Sequence, residues 1–255
     1  MDSTARSTWP IGLLRTFAGA CRFSYATASS HERTRDIACR RGQRGQRGRK
    51  KTVCMSTATD LPIFTLNTVL FPDGLLPLRV FETRYMDMAR ERMKRKLPFG
   101  VCLIKDGKEV GTPAVPEQTG CLARIVDWDM QQLGVLQLRN RGEQRFRIVG
   151  QTVSEQGLIS AKVEMIPDDE DSTVPAAFAS CTQLLQMVIA DQDSEVFAQP
   201  HRFDSATWVG NRLAEIVPIP PSARQKLLEL TDSRMRLEIL HKFLAQRGLP
   251  GFARA

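Results

Sequence analysis

From Leu61 onward the apolar and polar positions follow two rhythms, one after the other. The first half is made of short runs suited to strands. Leu61-Pro62-Ile63-Phe64-Thr65-Leu66 is one and Leu75 to Val80 a second, with Phe71-Pro72-Asp73-Gly74 between them as a turn signal. Phe99 to Lys105 makes a third, closed by Asp106-Gly107, and Gly120 to Trp128 a fourth. Val135, Leu136 and Leu138 lead to a turn expected near Arg141-Gly142, after which Phe146 to Val149 alternates. Gln151 to Ser154 and Leu158 to Ile166 flank Gln156-Gly157. Strands with such short connections predict an antiparallel, barrel-like sheet. One helix interrupts them early. Phe81, Tyr85, Ala89, Met93 and Leu97 recur at i, i+4, and Pro98 stops the run. Phe64, Phe71 and Phe81 are expected in the core, with Phe81 and Tyr85 anchoring the helix on the sheet. Arg79, Glu82 and Arg84 are placed to hold the strand-to-helix junction by ion pairs.

The second rhythm is helical. It follows an acidic run, Asp168-Asp169-Glu170-Asp171, which reads as a solvated linker. Phe178, Cys181, Leu185 and Val188 then form a stripe. Asp204 or Ser205 suits the N-cap of a helix reaching about Val217, which Pro218, Pro220 and Pro221 end. Ser222 suits the cap of a short helix through Leu230, and Thr231 or Asp232 that of the last. In that last helix Met235-Ile239-Phe243 and Leu237-Leu240-Leu244 form a broad buried face ending at Gly248. The fold class is therefore α+β: a β-rich part over 55–167 with one early helix, then a helical part over 168–255.

Composition changes this picture at one place. The net charge of +8 and the basic pI near 9.5 suggest nucleic acid as a partner. Yet residues 1–54 hold 12 Lys/Arg against 3 Asp/Glu, and the remainder holds 24 against 25. The excess sits in a segment rich in Arg, Ser and Gly, including Arg-Arg-Gly-Gln-Arg-Gly-Gln-Arg-Gly-Arg-Lys-Lys, where like charges oppose packing. Residues 1–54 are set apart as a disordered basic extension. Four readings of it stand: a mis-assigned start preceding Met55, a mitochondrial transit peptide, an RNA-binding tail of Arg-Gly type, and an inert tail. Nucleic acid is not expected to bind the near-neutral remainder. Cys102, Cys121 and Cys181 are spaced as buried small apolar residues of a reducing compartment, without any Cys-x-x-Cys. The expected localisation is cytoplasmic, or mitochondrial if the first 54 residues are a transit peptide. No apolar run approaches the ~20 residues of a membrane-spanning helix, and no membrane partner is expected.

Certain residues, in this order, resemble the N-terminal, substrate-binding domain of Lon proteases. They are Leu61 to Leu66, Asn67-Thr68-Val69-Leu70-Phe71-Pro72, and Leu76-Pro77-Leu78-Arg79-Val80-Phe81-Glu82 followed by Arg84-Tyr85. Phe99-Gly100-Val101, Gly120-Cys121-x-Ala123-x-Ile125 and Arg236-Leu237-x-x-Leu240 add to the likeness, which runs from about Leu61 to Leu249. Thr83 stands where family members typically carry proline. The resemblance implies a PUA-like β pseudo-barrel beside a small helical bundle. It also implies a non-catalytic module that binds unfolded or tagged protein segments, without the ATPase and protease that normally follow it. Any peptidase label would come from that resemblance alone. The alternative is an RNA-binding PUA-like protein using the basic tail.

The residues give chemistry little support. A phosphate-cradling G-x-x-x-x-G-K-[ST] loop is absent, and Gly107-Lys108-Glu109 lies in an expected hairpin. Ser160 and Lys162 share a strand face but lack the surroundings of a Ser–Lys pair. His201 follows Pro200 in a loop and His241 sits in the last helix, neither with a partner at metal-ligand spacing. No cofactor, metal or catalytic residue is assigned, and no binding residue is named. Met86, Met88, Met93 and Met130 are noted as adaptable contacts or core filling.

Overall fold

The computed structural model describes residues 59–191, 196–249 and 251–252; the readings of residues 1–54 lie outside them. Six strands form one sheet: β1 (Thr59–Leu66), β2 (Leu75–Val80), β3 (Phe99–Asp106), β4 (Val115–Gln132), β5 (Val135–Val153) and β6 (Ile159–Met165). Their order is β2-β5-β4-β3-β1-β6, and β5 also pairs with β6, which closes the last five into a barrel. The β1–β3 pair is parallel, so the sheet is mixed rather than antiparallel as the short connections suggested. The chain between those two strands holds β2 and a helix, α1 (Thr83–Arg95). That is room enough for the crossover a parallel pair needs.

Alternation along β1 explains why both of its faces are apolar. Leu61 and Ile63 meet Cys102, Phe146, Ile159 and Ala161 in one cluster. Phe64 and Leu66 meet Phe99, Val101, Leu78, Leu136 and the buried side of α1 in another. The first cluster is tight, because a Cβ on Gly120 would lie 2.5 Å from Cys102 Sγ and 2.6 Å from Phe146 Cζ. Only glycine lets the Phe146 ring fill that space.

Tyr85 anchors α1 as expected: it is 3% exposed and stacks on Phe64 at 3.9 Å. Phe81 does not. It is 56% exposed, because the helix starts at Thr83 with Glu82 as its N-cap and Phe81 lies ahead of the stripe. Leu97 likewise falls past the left-handed cap at Lys96 and stays exposed. At the junction Arg84 pairs with Glu82 at 2.9 Å and donates to Gly157 O, whereas Arg79 stays on the exposed face of β2.

Gly142 is no turn. It lies inside β5, a single strand from Val135 to Val153. The actual reversal is two residues long, Leu133-Gly134, between Gln132 and its partner Val135.

The helical part comprises a 3-10 turn (Ala176–Phe178), α2 (Ala179–Asp191), α3 (Ala206–Ile216), α4 (Pro221–Glu229) and α5 (Ser233–Gln246). Ser205 caps α3 by accepting from Trp208 N, and Asp232 caps α5 by accepting from Arg234 N and Met235 N. Pro221, not Ser222, begins α4, at the first helical position where a missing N–H costs nothing. Leu237, Leu240 and Leu244 are buried, but Met235 and Ile239 are exposed, so the buried face of α5 is narrower than the sequence suggests. Val69, Phe71 and Leu103 reach into this helical core from the sheet side.

Candidate functional site

Three places concentrate polar or reactive groups, and two of them are structural. Burial keeps the thiols protonated: it raises Cys102 and Cys121 strongly and pushes Cys181 up to about 12. His201 packs against Phe203 and Trp208, and His241 against Phe178 and Phe252. Lys162 is exposed on β6 beside half-buried Ser160. Among the described residues no group of three or more His, Cys, Asp or Glu is placed to hold a metal ion.

The acidic run is not a solvated linker. The Asp169 side chain is 3% exposed and is gripped by Arg145 of β5 and by Arg236 of α5, the latter at 2.8 Å. Arg145 also donates to Leu228 O and Leu230 O, and Arg236 to Leu227 O and Leu230 O. Asp171 accepts from the Ser205 hydroxyl at 2.6 Å. These contacts tie strand, linker and helices together.

A second ionic cluster surrounds the Phe71 turn. Asp73 accepts from Arg141 and Arg202, at 2.6 and 2.5 Å. Arg212 donates to Pro72 O and to Glu215, each below 3 Å. Glu215 keeps 22% of its side-chain surface, yet burial pushes its pKa up to about 7, against the opposing pull of Arg212 and Arg224. Between about 4.5, its ordinary value, and 7 the folded state holds a proton that the unfolded chain has lost. The stability this group contributes therefore falls as pH rises through that window. Glu215→Gln has no such proton to lose. Its stability relative to the parent should rise by on the order of 2–3 kcal/mol over the window, measured by urea unfolding at stepped pH. Parallel curves for the two proteins would contradict the assignment.

The third place is an open strand edge. β3 accompanies β4 only as far as the Phe99–Ala123 pair. From Arg124 to Gln132, β4 has β5 on one side, and among the described residues no strand pairs with it on the other. A register shift between Ile125 and Asp127 then places Trp128 opposite Leu138, which itself lies opposite Leu78. Leu78 and Leu138 are buried in the α1 cluster, whereas Trp128, at the end of the same rung, is 57% exposed. Met130, two residues on, and Leu133 at the turn are also exposed. The N–H groups of Trp128 and Met130 each donate to the carboxylate of the preceding aspartate, Asp127 and Asp129, at 2.9 and 2.7 Å. Alternate residues of a strand send their N–H groups to one side. These two donors are therefore met locally, by exposed side chains, rather than by another strand. Such an edge, with backbone donors held by side chains and apolar side chains at alternate positions, can take an added strand.

Of the edge residues, the sequence offers Met130 alone as a candidate contact. Of the four methionines noted there, Met86 and Met88 fill the core and Met93 is half-buried. The signal that was available is the alternation Val126, Trp128, Met130 with aspartates between, running on to Leu133-Gly134. Strand alternation with its apolar members near a hairpin tip marks a face that outruns the core.

Residues 60–246 match the family model of the ATP-dependent protease La (LON) substrate-binding domain. The chain belongs to the Lon substrate-binding domain family. A Lon N-terminal domain protein from Xanthomonas campestris has a similar structure, with TM-score 0.60 and 36% identity over 73% of this chain and 98% of that one. The N-terminal domain of the Mycobacterium avium complex Lon protease shares the fold at TM-score 0.51 and 17% identity, over 73% of this chain and 98% of that one. Among full-length relatives, the Lon protease of Methylocella silvestris is 26% identical over 186 residues, 70% of this chain and 23% of the relative. Lon protease 2 of Myxococcus xanthus is 27% identical over 195 residues, 73% of this chain and 24% of the relative. The chain thus spans about a quarter of the length of the curated Lon proteases it matches. As a Lon substrate-binding domain it has the α+β, PUA-like architecture that the sequence resemblance implied.

Proposed function

We propose that this Lon substrate-binding domain holds extended segments of other proteins, adding them as a strand to the free edge of β4, and that it does so without chemistry of its own. The observation that supports the reading is the edge itself: Trp128 and Met130 exposed at alternate positions, with their N–H groups met by the neighbouring carboxylates and, among the described residues, by no second strand. An unfolded segment can supply the missing backbone carbonyls, and its side chains can cover the indole. A second exposed apolar pair, Met235 and Ile239, lies on α5, where the helix already satisfies its own backbone and offers side-chain contact alone.

Ordering a flexible segment offsets much of the gain, so affinity should lie in the micromolar range or weaker. Trp128→Ser should weaken binding of an extended apolar peptide to the full chain about tenfold or more, as loss of a central aromatic contact does. Met235→Ser should leave binding unchanged. Calorimetric titration with both variants is the test, and equal affinities for parent and Trp128→Ser would contradict the assignment. In parallel, incubation with ATP and casein should release neither phosphate nor fragments.

A further inference from the structure

The same edge carries charge of one sign. Between Ile125 and Leu138 the chain carries two acids, Asp127 and Asp129, and no Lys or Arg. Asp127 lies opposite Arg139 on β5, but Asp129 lies opposite Gln137, and it accepts from the Met130 N–H and the Gln131 amide, both neutral donors. The two carboxylates sit at alternate positions, on the face opposite to Trp128 and Met130. Their hydrogen bonds run to the two N–H groups that an incoming strand would need.

Resting on the strand-addition reading, we propose that the occupant is a cationic segment in which Lys or Arg alternates with apolar residues. An added strand supplies carbonyl oxygens to Trp128 N–H and Met130 N–H, which frees both carboxylates from those donors. In a cross-strand pair, directly opposed residues share a face. Ligand positions opposite Asp127 and Asp129 therefore face the released carboxylates, and the residues between them face Trp128 and Met130. Cations in the first set and apolar side chains in the second satisfy both faces at once. Acidic residues in the first set meet like charge, which is destabilising for directly opposed pairs. A second copy of this chain is disfavoured on the same ground. Two such edges paired with each other bring Asp127 and Asp129 against their own counterparts, so the acids oppose self-association while leaving the edge open to a basic partner.

The test uses the full chain and two peptides of equal length and apolar content, one repeating Val-Lys-Leu-Lys and the other Val-Glu-Leu-Glu. The Lys peptide should bind on the order of tenfold more tightly, the summed effect of two cross-strand charge pairs. Added salt should shrink that preference, since exposed pairs are screened. The double variant Asp127→Asn, Asp129→Asn should lose most of the preference while keeping its melting temperature, because both side chains are exposed. If the two peptides bind equally, and Trp128→Ser weakens both, the charge inference is overturned while the edge remains the site. If the Lys peptide is preferred but the double variant keeps that preference, the selection lies elsewhere and the inference fails. If Trp128→Ser weakens neither peptide, the strand-addition reading fails and the inference with it.

Discussion

Asp169→Ala is expected to cost about 3–5 kcal/mol of stability, the range found when one partner of a buried ionic group is removed. The carboxylate lies between two guanidinium groups that are themselves 4% and 1% exposed. Their other hydrogen bonds run to the carbonyls of Pro167, Leu227, Leu228 and Leu230, which are neutral acceptors. Removing the acid leaves two cations facing each other in a dry site, where desolvation already lowers the pKa of Arg236. Asp169→Asn should fall between the parent and the alanine variant, because it keeps one acceptor but not the charge. Denaturant unfolding measures both. A loss under about 1 kcal/mol for Asp169→Ala would show that the arginines find solvent or other partners. Asp168→Ala, one residue away on an exposed side chain, is the control.

Gly142→Ala is the second large effect. A Cβ at this position would lie 2.1 Å from Phe71 O, a backbone atom. The strand cannot simply recede. Gly142 N donates to Gly74 O at 2.8 Å and Gly142 O accepts from Asp73 N at 2.9 Å, so the close approach is fixed from both sides. Overpacking of this kind costs about 1–3 kcal/mol and sometimes more, and here it also disturbs fully buried Phe71 in the helical core. Gly150→Ala in the same strand should cost little, since among the described residues nothing lies within 4 Å of its Cβ position. The pair separates close approach from strand propensity. Equal melting temperatures for the two variants would contradict this account.

The same glycine shows where sequence reading stopped short. Arg141-Gly142 has the composition of a turn, and local composition alone cannot separate a glycine that bends the chain from one that another backbone touches. The touching segment, Phe71 to Gly74, lies far away in sequence. Asp169 is a parallel case. Four acids in a row have the composition of a solvated linker, and the two arginines that bury one of them come from β5 and α5, distant in sequence. Phe81 and Leu97 failed for a local reason, since an i, i+4 stripe carries no mark of where its helix begins or ends. β1, β2, β3, β6 and the interior of α1 were legible from period, and the caps Ser205 and Asp232 and the three buried thiols from residue type. The parallel β1–β3 pair was not, because period gives a strand but not the direction of its neighbour. The open edge of β4 was half legible. Its alternation stands in the sequence, but that the pairing with β3 stops at the Phe99–Ala123 pair, and that among the described residues no strand pairs with the next nine residues of β4 on that side, is a matter of sheet register.

Amide hydrogen exchange at Trp128 and Met130 tests the strand-addition claim most directly, because it reads the two donors that an added strand must engage. In the free full chain both amides should exchange quickly, held by exposed carboxylates. With the Val-Lys-Leu-Lys peptide near saturation, both should slow together while amides of α5 keep their free-state rates. Binding that leaves these two amides unchanged, with protection appearing instead around Met235 and Ile239, would contradict the account.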